Sequence, residues 1–92
     1  MAARAKIEYK ASVEKDLRRL DRATAMRILR KIEHALGTES HQRSALSGEF
    51  AGLYRLRVGD YRVIYSRTVE GYLVLRIAHR RDVYSKGRPA VD

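Results

Sequence analysis

The stretch "GLYRLRVGDYRVIY" at residues 52–65 restricts the fold more than any other part of the chain. Two runs of alternating bulky and basic residues are separated by Gly59 and Asp60. A period of two sends successive side chains to opposite faces of a strand. A two-residue connection containing glycine joins such strands antiparallel. The spacing therefore predicts Val58 opposite Tyr61, Arg57 opposite Arg62 and Leu56 opposite Val63. Tyr54, Leu56, Val58, Tyr61, Val63 and Tyr65 then share one face, which needs a covering layer. Leu53, Arg55, Arg57, Arg62 and Ile64 share the other.

The preceding residues supply that layer. "AKIEYK" (5–10) predicts a short first strand with Ile7 and Tyr9 on one face. "SVEKDLRRL" (12–20) predicts a helix striped by Val13, Leu17 and Leu20, with Ser12 as N-cap and Glu14 and Asp16 in its first turn. Asp21 is placed to cap a second helix over 22–36, striped by Ala25, Ile28, Leu29, Ile32 and Leu36 and stopped by Gly37. So short a connection makes the two helices an antiparallel hairpin. Residues 38–51 read as a polar loop anchored by Leu46 and Phe50, and strands over 53–58, 61–67 and 72–79 follow. From Asp82 onward one helical turn and then fraying are expected.

The last strand is placed by the loop before it. A three-residue connection ending on a left-handed Gly71 puts Leu73, Leu75 and Ile77 on the core face. Val74, Arg76, Ala78 and Arg80 then join the arginine face. A two-residue loop reverses the assignment and exposes the better apolar set, so the longer loop is the expectation. The predicted class is α+β, one domain over residues 1–92 in the order β-α-α-β-β-β, with a helical hairpin on one face of a small, mainly antiparallel sheet.

The charge sharpens the question. Lys and Arg number 20 against 11 Asp and Glu, a formal charge of +9, which points to a polyanion or an acidic partner. Arg55, Arg57, Arg62, Arg76 and Arg80 fall on one sheet face, where directly opposed like charges cost a few tenths to about 1 kcal/mol. No acidic residue faces the Arg57–Arg62 pair. Guanidinium groups stay charged and match phosphate geometry, so this face reads as a phosphate site. The absence of cysteine removes disulfides, thiolate nucleophiles and Cys-ligated zinc, and the carboxylates form no ligating cluster, so neither a metal nor a cofactor is expected. "MAARAKIEYK" has no apolar signal region, and no apolar run approaches the roughly 20 residues of a membrane span. A cytoplasmic protein with no membrane partner is the expectation. Tyr9, Tyr54, Tyr61 and Tyr65 read as core residues with exposed hydroxyls. His79 is assigned to the core face as a structural histidine, and no ligand or base role is read for His34 or His41.

"LSGEFAGLYRLRVGDYRVIY" followed by "LRIAHRRDVY" resembles the RelE/ParE toxin superfamily of bacterial and archaeal toxin–antitoxin modules, from "IEYKASVEKDLRRL" to Tyr84. The resemblance implies the same β-α-α-β-β-β fold. RelE-like members cleave messenger RNA in the ribosomal A site; ParE-like members poison DNA gyrase and generally lack the basic catalytic set. The positions favour RelE. The resemblance implies catalytic roles for Arg55 and Arg57 on the first strand of the hairpin, Arg62 early in the second, Arg80 at the end of the last strand and Tyr84 in the C-terminal turn. Arg81 is a rival for the role of Arg80. Relatives can carry lysine on the first strand; arginine effectively cannot give up its proton, so Arg55 and Arg57 are assigned electrostatic roles only. The implied chemistry is metal-independent attack of a ribose 2′-OH on the adjacent phosphate, with Tyr84, His79 or ribosomal RNA as candidates for proton transfer. The implied partners are the ribosome with its messenger RNA and a cognate RelB-like antitoxin whose binding segment is acidic or amphipathic. A gyrase poison and a cleavage-inactive homologue that binds only antitoxin or RNA are the alternatives.

Overall fold

In the computed structural model, which describes residues 5–39 and 44–91, the alternating stretch forms a hairpin of β3 (Tyr54–Val58) and β4 (Tyr61–Arg67). Its register is the expected one: Leu56 pairs with Val63, Arg57 with Arg62 and Val58 with Tyr61. At the turn, Gly59 has φ 58° and Asp60 does not share that left-handed conformation, as in a II′ connection. The other elements are β1 (Lys6–Tyr9), α1 (Ala11–Arg18), α2 (Arg22–Gly37), β2 (Ser44–Ala45) and β5 (Gly71–His79). The sheet order is β1-β5-β4-β3-β2; β1 runs parallel to β5 and the other neighbours are antiparallel. The short β2 and a 3-10 turn at Gly48–Phe50 lie within the stretch expected to be loop. The part of that loop carrying His41 lies outside the described residues.

The helices cover the face that the alternation requires. Val13, Ile28, Ile32, Ala35 and Leu36 are buried against Leu56, Val58, Val63, Tyr65, Tyr72, Val74 and Ile77. Each fully buried aliphatic side chain contributes about 1.5–3 kcal/mol. Tyr65 is buried completely, stacked on Tyr54 with ring centroids 5.6 Å apart and edge-on to Tyr72 at 5.4 Å. Tyr9 is 39% exposed and only partly burdened with packing; burial and then Glu33 raise its pKa above the usual tyrosine value.

Asp21 caps α2 as expected, accepting from the Thr24 backbone N–H at 3.1 Å and from the Thr24 hydroxyl at 2.5 Å. These bonds, the hydroxyl first, hold its carboxyl below the usual aspartate range. A depressed folded-state pKa stabilises the protein above the unfolded value and is lost as pH falls through the folded one. Asp21→Ala is therefore expected to lower the urea midpoint at pH 7, with the difference from wild type shrinking as the pH drops below about 4. Two other terminal assignments differ. Lys10, not Ser12, is the N-cap of α1, without a side-chain cap bond. Gly37 lies inside α2, buried beside Ile7, and its carbonyl accepts the Ala5 N–H at 3.2 Å; the left-handed residue is Glu39, φ 53°. The glycine does not stop the helix, and a Cβ there would meet Ile7 Cδ1 at 3.7 Å, an ordinary contact.

The connection into β5 also differs. Thr68 N–H donates to Gly71 O at 2.8 Å and Arg67 pairs with Tyr72, which leaves a two-residue loop of Val69 and Glu70. Tyr72 and Val74 therefore face the helices, while Leu73 and Leu75 face the other side. A β-bulge then inserts Leu75 between the pairs Tyr65–Val74 and Ile64–Arg76. Beyond it Ile77 returns to the helix face, and Arg76 and Ala78 lie on the arginine face, as expected. The expectation fails at Leu73, Val74 and Leu75 because the second face is not open to water. Phe50, Leu53, Ile64, Leu75 and Val83 form a second core there, with Leu46, Leu73 and Ala78 packed against it. Apolar residues on both faces remove the reason to prefer the longer loop.

The C-terminal segment closes that second core instead of fraying. Arg88 Nη1 donates to Ala51 O at 2.6 Å and Lys10 Nζ to Ala90 O at 2.6 Å, and Pro89 is buried. Where β5 runs past the end of β1, the Ile77 N–H is taken up by the Asp16 carboxylate at 3.0 Å.

Candidate functional site

The register sorts the second face into two rows. In the inner row Ser44 lies beside Arg55, Arg55 beside Ile64 and Ile64 beside Arg76. In the outer row, at the hairpin tip, Arg57 lies beside Arg62 and Arg62 beside Ala78. Arg80 follows at the end of β5, where its N–H donates to Asp60 O at 2.8 Å and its Nε lies 3.9 Å from the Asp60 carboxylate. The β3–β4 hairpin thus carries Arg55, Arg57 and Arg62 on one side of the sheet, with Arg80 just past the end of β5 at the hairpin turn.

Tyr84 is brought to them by the turn after β5. Its hydroxyl accepts from Arg55 Nη1 at 3.3 Å, and its ring stands edge-on to Phe50 with centroids 5.2 Å apart. The ring remains 38% exposed. Arg55 is half-buried: its Nη2 donates to Ser44 Oγ at 3.3 Å, and its Nε, closed off from solvent, has no acceptor among the described residues. A guanidinium held in this way has an unused donor. Arg57 is exposed.

The Arg57–Arg62 opposition is relieved without an acid. Arg62 Nη1 donates to Gly59 O and Tyr61 O, each at 2.9 Å, which turns the guanidinium back onto its own hairpin turn. Arg76 shares the face but not the cluster, because its Nη1 donates to Val83 O at 2.7 Å and Gly87 O at 2.9 Å. His79 is on the helix side, as expected. It packs edge-on to Tyr61 at 5.6 Å, and its Nδ1 accepts the Arg81 N–H at 3.2 Å. It lines a cavity of about 230 Å³ with Asp16, Arg19 and Leu20 of the helical layer. By register His79 and Arg55 lie on opposite faces of the sheet, and the same cavity is also lined by Arg76, Asp82 and Lys86. Among the described residues no three His, Asp or Glu side chains gather as metal ligands would.

Two contributors were not identified as site residues from sequence. Phe50 was read only as a loop anchor, and its edge contact with Tyr84 depends on chain brought from 34 residues away. Ser44 sits in a strand too short to produce an alternation.

The arrangement can bind a phosphodiester. Outer-row arginines at an open tip, a half-buried arginine behind them and a tyrosine hydroxyl beside it provide charge, a fixed donor set and a group capable of proton exchange.

The model of the ParE toxin of type II toxin–antitoxin systems (parDE) matches residues 7–84. No curated protein matches the chain in sequence. Among solved structures, a chain of the RelBE2 toxin–antitoxin complex of Mycobacterium tuberculosis superposes with a TM-score of 0.76 at 23% identity, covering 85% of this chain and 100% of that one. The RelB–RelE antitoxin–toxin complex of Methanococcus jannaschii gives 0.65 at 21% identity, over 86% of this chain and 96% of that one. The protein HP0894 of Helicobacter pylori gives 0.59 at 18% identity, over 87% and 99%. At these identities the structural likenesses speak for the fold: two helices on a five-stranded mixed sheet. The family match runs from β1 through Tyr84, and the chain accordingly belongs to the ParE toxin family of type II toxin–antitoxin systems, within the RelE/ParE superfamily.

Proposed function

We propose that this toxin is a ribosome-dependent endoribonuclease of RelE type, which cuts messenger RNA in the A site and so inhibits translation in the cytoplasm. The observation that carries the reading is the placement of Arg55, Arg57 and Arg62 on one sheet face, with Arg80 just past β5 at the hairpin turn and the Tyr84 hydroxyl on Arg55. In the reaction the 2′ oxygen forms a bond to its own 3′ phosphorus and the bond to the 5′ oxygen breaks. The 2′ proton leaves and a proton reaches the 5′ oxygen, giving a 2′,3′-cyclic phosphate and a 5′-hydroxyl. Charge gathers on the equatorial oxygens, where guanidinium groups already in place stabilise the transition state more than the ground state. Arg62 is the principal contact. It exchanges neutral carbonyl acceptors for a phosphate, and charge-assisted bonds are roughly twice as strong. Arg57 lies beside it and Arg55 one row behind, and Arg80 holds the phosphate or the leaving oxygen.

No arginine can accept the 2′ proton. Tyr84 is the group on this face that can orient the 2′-OH, stack on a base or exchange a proton, and ribosomal RNA is the other source of that step. Tyr84→Phe keeps the ring on Phe50 and removes the hydroxyl. It is expected to slow single-turnover cleavage by roughly 10²–10⁴-fold with little change in KM. The proposed partners are the ribosome with its messenger RNA and a cognate antitoxin with an acidic or amphipathic segment, in keeping with the +9 charge.

One observation favours a second reading: the matching family model is that of the ParE toxin. In a gyrase poison the arginine set would be dispensable. Mapping of 5′ ends after brief expression separates the two. New 5′-hydroxyl ends within coding sequence support the nuclease; intact messenger RNA with trapped gyrase–DNA breaks supports the poison.

A further inference from the structure

We infer that Arg76 is a positioning residue for Tyr84, an inference that rests on the nuclease reading above. The β-bulge at Leu75 puts two consecutive side chains of β5 on the same face, a known consequence of an extra residue in one strand. Leu75 enters the second core beside Val83, and Arg76 reaches across to the C-terminal turn. Its single Nη1 donates to the carbonyls of Val83 and Gly87, which bracket Tyr84 on both sides. Within that bracket the backbone–backbone bonds are short-range: Ser85 N–H to Asp82 O at 3.1 Å and Gly87 N–H to Tyr84 O at 3.2 Å. Gly87 has φ 71° and closes the turn in a conformation that L side chains rarely adopt. Val83 anchors the start of the turn in the core, Arg76 bridges from the sheet to its far end, and the next residue, Arg88, donates to Glu49 O and Ala51 O. A hydrogen bond from a charged donor is stronger than a neutral one, and half-burial protects it from water. The hydroxyl of Tyr84 meets Arg55 at 3.3 Å only while this turn keeps its place over the inner row. Arg76 therefore uses its charge on the backbone that carries Tyr84, and touches neither substrate nor the reacting atoms.

The test uses the full chain with programmed ribosomes, in Arg76→Met, Arg76→Lys, Tyr84→Phe and the Arg76→Met/Tyr84→Phe double variant. Arg76→Met is expected to lower kcat at least tenfold with KM nearly unchanged, and Arg76→Lys to recover part of the loss. Amide exchange at Ser85 and Gly87 should accelerate in Arg76→Met while the β3 and β4 amides keep wild-type rates. In the Tyr84→Phe background Arg76→Met should have little further effect, since residues acting as one unit are not additive. Wild-type kcat in Arg76→Met, unchanged exchange at Ser85 and Gly87, or full additivity in the double variant would each overturn the inference. If Arg76→Met exchanges globally, the same comparison in Arg76→Lys decides. A wild-type protein that leaves messenger RNA intact defeats the nuclease reading and the catalytic consequence with it; the exchange at Ser85 and Gly87 then decides alone whether Arg76 holds the turn.

Discussion

Arg62→Ala should reduce ribosome-dependent cleavage of messenger RNA by roughly 10²–10³-fold, the loss typical of one preorganised donor at a charge-developing centre. The change in stability should be small, within about 0.5 kcal/mol. Two effects oppose each other in the fold. Removal of Arg62 forfeits the bonds from Nη1 to Gly59 O and Tyr61 O, and it also removes the like-charge opposition with Arg57. The Gly59 carbonyl bond is exposed and the Tyr61 carbonyl bond only part-buried, so neither acceptor is left deep in the core. The decisive measurement pairs single-turnover cleavage on programmed ribosomes with a urea midpoint. Cleavage by Arg62→Ala at the wild-type rate would remove Arg62 from the mechanism. A lost midpoint together with lost cleavage would mean that the fold, not the chemistry, had been damaged. Arg62→Lys adds a finer distinction: it keeps the charge but not the planar fork, so retained activity would mark a purely electrostatic contact.

The largest effect on the fold is expected from Gly71→Ala. A Cβ at this position would stand 2.1 Å from Lys6 O, 2.6 Å from Lys6 N and 2.9 Å from Lys6 C. All three are backbone atoms, so no side-chain rotation relieves the overlap. Either β1 moves off β5 by about 1 Å or the pairing is lost; overpacking of this kind costs about 1–3 kcal/mol and sometimes more. In a domain of this size each kcal/mol shifts Tm by roughly 4–8 °C, so a fall on the order of 10–20 °C is expected by calorimetry. Gly48→Ala is the comparison: its Cβ meets no atom within 4 Å, and only the φ of 61° opposes it. A Tm for Gly71→Ala within about 3 °C of wild type would show that β1 contributes little to the sheet.

These two substitutions mark the division between what was legible in the chain and what was not. The arginine face at Arg62 was readable because it rests on local rules. Period-two alternation and a two-residue turn fix which β3 residue lies opposite which β4 residue, and no distant segment can change that without breaking the hairpin. The Asp21 cap is local in the same sense, and so is the α2 stripe of Ile28, Ile32 and Leu36. Gly71 was misread because glycine has two uses. It permits a left-handed turn, and it permits close backbone approach; the sequence shows the residue but not its neighbour. The neighbour is Lys6, brought in by a parallel pairing across 65 residues.

The same limit governs β5. Hydrophobic pattern identifies a face that needs cover, but it does not say which segment supplies the cover. Phe50 and Val83 come from segments read as a loop and as a terminal helical turn, and together they make the second face of the sheet a core. Once that face is apolar, the shorter loop and the bulge at Leu75 become compatible with burial on both sides. The sequence by itself determined the α+β layering, the helical hairpin, the β3–β4 register and the face shared by Arg55, Arg57 and Arg62. Only the tertiary structure decided that Tyr84 meets Arg55, that Arg62 folds back onto its turn and that Arg76 holds backbone rather than anion. The physical reason is range: alternation and capping act within a few residues, whereas the partner of a donor or an apolar face is chosen by whatever chain the fold brings beside it.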